Sequence, residues 1–510
     1  MTQDVVPHRA LITGCAMVAT LMQALDSTIA NVALPYMQGS LSASADEITW
    51  VLTSYVSAAA IMTAPVGWLA ERFGRKNLFI VSLAGFTATS MMCGAAQTLT
   101  QMVLFRLLQG MCGAALVPLS QATLLDIYPA ERRPAAMAIW GIGVMVGPIL
   151  GPTLGGYLTE FYNWRWVFYV NLPFGILAIS GLMAFLPKEA SDAKLRFDWI
   201  GFAVLALAIG AFQLMLDRGE DQDWFTSREI IVEAVLAGLG LYLFVVHMLT
   251  AEKPFLPPAI FRDRNFAAGM VMMFLICMVL LASSALLAPY LQNLANYPVE
   301  SAGLAMAPRG IGTMAAMILA GRIGVRIDQR KLMAVGLVLM SWSLYDMSLW
   351  TPDVSEQRLI VTIVVQGLGM GFVFNPLTVL AFTTLAPHLR GDGAALLSLF
   401  RNIGSAIGIS VTSFSLAQLT QVSHADLAAH ITPFNRLLQA GAAGHFLNPA
   451  TGAGAGLLDA AINRQAQIIA YNDDYRMMIV ATLAPLLLLP LMHRGRRPSG
   501  PATAAHVAMD

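Results

Sequence analysis

LITGCAMVATLMQALDSTIANVALP, residues 11–35, is a run of apolar and small side chains broken by a single charge, Asp26. A hydrocarbon core about 30 Å thick is crossed by about 20 residues of α-helix, so this stretch has the length of a membrane span. Only Arg9 among Lys and Arg precedes it. The run is too long for a signal-peptide core of about 7–15 residues, and no clean small-residue cleavage site follows. It reads as a retained first span with a carboxylate inside it.

The rest of the chain has the same character. Of 510 residues, 57% are hydrophobic and only 12% charged, with mean hydropathy +0.65. Soluble domains carry about 25% charge, so the surplus apolar surface must face lipid. The 30 basic and 30 acidic residues cancel, which argues against a nucleic-acid partner. Cys15, Cys93, Cys112 and Cys277 all lie in apolar runs without metal-ligand spacing, as small lipophilic residues do.

Scanned with the 20-residue ruler, the sequence predicts fourteen spans. They lie near 11–35, 48–70, 77–96, 100–125, 135–157, 166–186, 198–216, 229–250, 267–290, 301–321, 332–350, 359–384, 393–417 and 475–492. Helices are expected, because runs this long and uniformly apolar do not suit barrel strands. Of the 30 Lys and Arg residues, 20 then fall on the side of the N-terminus and 7 on the other. Arg106, Arg309 and Arg401 fall within spans. The positive-inside rule puts both termini in the cytoplasm.

The expected fold is all-α: two six-helix bundles with two extra central helices. The units are 1–186, 187–266, 267–492 and a cytoplasmic tail, 493–510. The third unit includes a long periplasmic loop, 418–474, whose Gly-Ala-rich patch at 452–456 reads as flexible, with short helices near 424–430 and 460–469. An internal echo supports the duplication. A glycine followed by a basic cluster closes the second span (Gly67 to Lys76) and again the tenth (Gly321 to Lys331).

Several residues are candidates for chemistry. Asp26 is costly in lipid unless it faces a polar cavity or is protonated, and a group that changes protonation at depth suits proton coupling. Arg106, a few residues into the fourth span, sits at a similar depth and is the candidate partner. The alternative for each is a structural role: an acid pairing with its neighbours, an arginine bonding backbone carbonyls. Gly143, Gly147, Gly151 and Gly155 recur every four residues and make one smooth helix face, with Gly156 beside it. Pro148 and Pro152 bend that helix. The face suits packing, or sliding during gating. Gly67, Glu71, Arg72, Gly74, Arg75 and Lys76 can form a charged latch between helix ends, or serve topology alone. Asn31, Gln109, Asn375, Arg401 and Asn402 are weaker candidates for a substrate cavity, as are Gln23, Gln121 and Gln366; helix–helix hydrogen bonding is the alternative. The methionines, including Met270, Met272, Met273 and Met278, suit varied lipophilic ligands or plain packing.

Four of these patterns resemble the major facilitator superfamily, in particular its fourteen-helix drug:proton antiporter branch of the EmrB/QacA type. They are Leu25 to Pro35, Gly67 to Lys76, Arg106-Leu-Leu-Gln-Gly110, and Gly147 to Gly156; Trp164 to Pro173 and Leu214 to Gly219 add to the likeness. Glu71 stands where the inner-loop motif usually has Asp, which implies a shifted gating contact. The resemblance implies export of lipophilic drugs or toxic compounds from the cytoplasmic (inner) membrane by alternating access. It implies a proton gradient as the driving force without a cofactor or metal, and a periplasmic adaptor and outer-membrane channel as partners. A proton-coupled uptake symporter of the same fold and a non-transporting sensor are the competing readings. An enzyme is disfavoured: the chain has no phosphate loop, no His-Glu-x-x-His and no Gly-x-Ser-x-Gly.

Overall fold

Prolines decide where the long helices break. The computed structural model describes residues 8–129, 132–187, 195–220, 222–252, 254–324, 327–431, 447 and 451–493, and every regular element among them is helical. The first set is α1 (Arg9–Leu41), α2 (Ala45–Ile48), α3 (Trp50–Thr63), α4 (Val66–Phe73), α5 (Arg75–Ala95), α6 (Leu99–Gly113), α7 (Leu116–Ile127), α8 (Arg133–Phe161), α9 (Trp166–Tyr169) and α10 (Asn171–Phe185). Two more follow, α11 (Trp199–Arg218) and α12 (Arg228–Thr250). The last set is α13 (Ala259–Arg262), α14 (Arg264–Pro289), α15 (Val299–Met306), α16 (Pro308–Ile323), α17 (Gln329–Met347), α18 (Glu356–Ala381), α19 (Arg390–Ala429) and α20 (Gly452–Leu483).

Pro65 has no N–H for the Ile61 carbonyl, which accepts from Ala64 at 3.4 Å instead, and α3 and α4 meet at 59°. Pro308 does the same between α15 and α16, where Ala307 donates to Leu304 at 3.1 Å. The expected spans 48–70 and 301–321 are therefore each two helices. Helix covers all fourteen expected segments. By length and apolarity alone, 11 of the described helices can cross a membrane, or 12 with the bent α3–α4 pair. α8 and α17 lack that mark, and α17 carries Arg330, Lys331 and Asp346 near its ends.

Packing follows two neighbourhoods. α1 lies against α7, α8 and α10, and α6 against α3 and α5. Likewise α14 lies against α19, and α18 against α16 and α17. α11 and α12 pair with each other, and α11 leans on both α3 and α19. Across the seam, α8 meets α16, while α4 and α7 meet α19. The echoed glycines both sit on this seam. A Cβ on Gly67 would fall 2.7 Å from the Asp392 Cα, and one on Gly321 would fall 3.0 Å from the Ala138 Cβ. No side chain fits at the first without moving backbone.

The expected loop 418–474 is a correction. α19 continues to Ala429, and α20 starts at Gly452, long before the expected last span at 475–492; that span instead closes in short 3-10 turns over 484–491. The Gly-Ala patch is the first turn of α20, not a flexible spacer. Thr451 caps it, its hydroxyl accepting from the Gly454 N–H at 3.2 Å, and alanines carry the helix onward. His424 and Asp459, 2.9 Å apart, tie α19 to α20. Residues 432–446 and 448–450 lie outside the described residues, as does the tail from 494. Amide exchange tests the correction: backbone N–H groups over 458–472 should be protected like those of the spans, whereas a loop would exchange them at the open-chain rate.

Candidate functional site

Asp26 and Arg106 meet, both fully enclosed. Arg106 Nη1 donates to Asp26 Oδ2 at 2.7 Å, and neither side chain has any exposed surface. The second carboxylate oxygen accepts from Gln109 Nε2 at 2.9 Å and from Asn171 Nδ2 at 3.3 Å. Arg106 Nε donates to the Val51 carbonyl at 3.1 Å, and its guanidinium lies 4.1 Å from the centre of the Tyr55 ring. Asn171 is held in turn by Ser90 at 3.0 Å. The groups around the pair thus come from three helices besides α1: Val51 and Tyr55 from α3, Gln109 from α6 with Arg106 itself, and Asn171 from α10, with Ser90 of α5 behind it. Arg106 Nη2 is buried without a hydrogen bond among the described residues. Taking two charges out of water costs several kcal/mol per ion, offset only by good geometry and further hydrogen bonds.

The glycine face of α8 packs on the turn of α1 that carries Asp26. A Cβ at Gly147 would lie 2.7 Å from the Ala24 carbonyl carbon and 2.8 Å from the Leu25 nitrogen. Gly151 fits against Thr28 and Gly155 against Ile29. Gly143, whose Cβ would meet Met17 at 3.6 Å, makes ordinary contact, and Gly156 faces near-open space. The expected four-glycine face thus touches closely at three of its members, Gly147, Gly151 and Gly155. The side chains of Pro148 and Pro152 lie outside the described residues.

At the basic end of the bundle, Asp126 of α7 receives Arg75 at 2.5 Å and Arg390 of α19 at 2.8 Å. Arg75 belongs to the 67–76 segment and Arg390 starts a helix of the other half, so one carboxylate ties the two across the seam. Glu71 is close enough to Asp392 to act on it as a like charge. Lys76 instead caps α10, donating to the Met183 and Leu186 carbonyls, and Arg72 is half-buried. Gly74 provides the turn between α4 and α5 with φ 81°, which suits glycine.

These motifs match a known lineage. A sequence profile of the Major Facilitator Superfamily matches residues 16–409. The chain belongs to this superfamily. It is 36% identical to the multidrug export protein EmrB of Haemophilus influenzae over 431 residues, 84% of each chain. It is 34% identical to the fatty acid resistance protein FarB of Neisseria gonorrhoeae over 483 residues, 94% of each. Among solved structures, the human organic anion transporter MFSD10 superposes with TM-score 0.61 at 14% identity, covering 93% of this chain and 100% of that one. The proton:xylose symporter XylE gives 0.59 at 13%, covering 92% and 94%. These place the chain in the EmrB-type branch, as a multi-pass inner-membrane protein with the major facilitator fold.

The remaining candidates scatter within that fold. Gln109 belongs to the Asp26 network and has no exposed surface. Asn375 is buried in α18 with its Oδ1 unbonded. Asn31 is exposed, while Arg401 and Asn402 are half-buried in α19. Sequence reasoning missed Tyr55, Asn171, Asp126 and Asp392, and counted Arg390 only as a topology charge. Asn171 lay in the quoted stretch 164–173, and Asp126 closes a span beside a basic segment, so both had a signal.

Two predictions follow from this geometry. Arg106→Ala strands a buried carboxylate and should cost about 3–5 kcal/mol, against a smaller loss of about 1.5–3 kcal/mol for Gln109→Ala, which removes the amide's hydrogen bonds to Asp26 and Arg106 but leaves the ion pair; denaturant unfolding in detergent reads the difference. Asp126→Asn weakens both seam ion pairs. Spin labels on α4 and on the start of α19 should then show a broader, longer distance distribution by pulsed EPR than in the parent.

Proposed function

We propose that this chain is a proton-coupled transporter exporting lipophilic drugs or toxic compounds across the cytoplasmic membrane by alternating access. The observation that carries the reading is the enclosed Asp26–Arg106 pair, 2.7 Å apart. A carboxylate there has two stable arrangements. Ionised, it holds the guanidinium and the Gln109 and Asn171 amides; protonated, it releases the guanidinium. Binding of substrate or rearrangement of the helices that hold these partners shifts the balance between the two. Each proton carried down the gradient supplies about 2.3 kcal/mol per 100 mV. No cofactor enters the scheme.

Two six-helix bundles, 1–186 and 267–492, would rock about the seam, with 187–266 inserted between them. The Arg75–Asp126–Arg390 cluster is the latch that keeps the cytoplasmic ends together, so the arrangement with the latch closed is the outward-facing one. The close fit of Gly147 and Gly151 on α1 lets α8 transmit that movement to the turn holding Asp26. The likeness to EmrB supports export over uptake, and further supports action as the permease of an assembly with a periplasmic adaptor and an outer-membrane channel.

The test is transport in proteoliposomes carrying an interior pH dye. The parent should release protons when a lipophilic dye is added and should drive that dye uphill against its gradient. Asp26→Asn should still bind the dye but lose both responses. Full uphill transport by the Asn variant would remove Asp26 from the mechanism.

A further inference from the structure

The enclosed acids of the two bundles are held in opposite ways. Asp26 has a guanidinium and two amides around it. Asp474 of α20 has no exposed surface either, yet neither of its carboxylate oxygens accepts a hydrogen bond of ordinary geometry, and it makes no ion pair among the described residues. Its polar neighbour is the Ser415 hydroxyl of α19. The charged groups on the helices packed around it are committed elsewhere. Asp473 pairs with Arg476 at 2.9 Å, Asp346 of α17 with Arg358 at 2.8 Å, and His424 of α19 with Asp459 at 2.9 Å. The turn after α14 presents the Tyr290 phenol, whose ring packs on Tyr471. An ionised carboxylate finds nothing there to replace its water, and a group so placed is neutralised by a proton instead.

Its complement lies in the same bundle. Arg309 of α16 donates to the Ser284 hydroxyl of α14, while its Nε and Nη2 are buried without a hydrogen bond among the described residues. The Tyr475 hydroxyl, also buried and unbonded, is within electrostatic reach of both Arg309 and Asp474. A buried acid and a buried cation, each unpaired, thus share one neighbour. Their place along the bundle matters too. Asp474 precedes by 19 residues His493, whose N–H donates to Asn265 at the start of α14. At about 1.5 Å per residue that length crosses a hydrocarbon core about 30 Å thick, so Asp474 sits at the outer end, opposite the basic one.

We propose that Asp474 is a second proton-carrying residue of the transport cycle, loaded from the outer side in this arrangement and discharged when movement of α20 toward α16 brings Arg309 to its carboxylate. This rests on the proton-coupled export reading and adds a carrier to it. On discharge the O–H bond of the acid breaks and the proton leaves to water on the side then open. The guanidinium stays cationic and takes the proton's place as partner of the carboxylate. The two bundles thus hold like pairs in opposite conditions, Asp26–Arg106 closed and Asp474–Arg309 open, and each exported molecule is linked to two protons.

Two measurements on the full chain test this. Infrared difference spectra in nanodiscs at neutral pH, parent minus Asp474→Asn, should contain the carbonyl stretch of a neutral carboxylic acid. In proteoliposomes with the membrane potential clamped to zero, a proton gradient of about tenfold should hold a gradient of ethidium, whose charge does not change with pH, of about a hundredfold in the parent and about tenfold in Asp474→Asn. Asp474→Glu should restore the parent value. Arg309→Gln leaves the acid without its cation and should also hold about tenfold, which keeps the test sound if Asp474→Asn does not fold. A difference spectrum without that band, or the parent gradient retained in Asp474→Asn or in Arg309→Gln, overturns the proposal. A parent that holds only about tenfold sinks this proposal and leaves proton coupling standing; a parent that holds no gradient sinks both.

Discussion

Two opposite charges held out of water fix the first half of this molecule. Arg106, Gln109 and Asn171 surround Asp26, and Arg106 lies buried over Tyr55 and donates to the Val51 carbonyl. Those partners are spread over α3, α6 and α10, so the pair sets the positions of these helices relative to α1. The apolar contacts around it tolerate exchange among side chains of similar size. The pair does not, because each ion left alone would face a low-dielectric interior.

The same constraint explains why glycine is concentrated on α8. If α1 must hold its carboxylate at one depth and angle, the helix behind it has to approach closely without pushing. At Gly147 and Gly151 the backbone of α8 lies where any side chain would strike Ala24, Leu25 or Thr28. A narrow interface is thereby built directly behind the buried carboxylate. At the other end of the bundle the contact is of the opposite type. Asp126 is a quarter exposed and receives two arginines from different halves. Pairs reached by solvent hold less tightly than fully enclosed ones. The enclosed pair is thus costly to break and the partly exposed one less so.

The inserted helices take their place from the same seam. α11 touches α3 on one side and α19 on the other, and at the basic end Phe197, just ahead of α11, packs at a tilt of 51° on Trp68 of α4 with ring centres 4.6 Å apart. His247 of α12 meets Asp198, the cap of α11, at 2.9 Å. The pair is therefore joined to the segment that carries the latch, so movement at Gly67 cannot be independent of it.

Hydropathy and charge placement alone determined that the chain spans a membrane many times, that its elements are helices, and that Asp26 and Arg106 lie within spans. The bilayer makes each of these a local property: a span needs only length and apolarity, and a charge inside one stands out against them. The motif residues were legible for the same reason, being polar or glycine where lipid-facing helices are neither. Tertiary structure decided everything that depends on which helices are neighbours. It supplied Asn171 and Tyr55 to the buried pair, joined Asp126 to Arg390 across 264 positions, and left Arg401 without an ion pair among the described residues. It also carried continuous helix through 418–429 and 452–474, where the sequence suggested only short helices within a loop. Small and polar residues at the end of a span do not distinguish a helix that continues beyond the membrane from a chain that unwinds there. The difference lies in whether a second helix runs alongside to pack against it, and α19 and α20 provide that for each other.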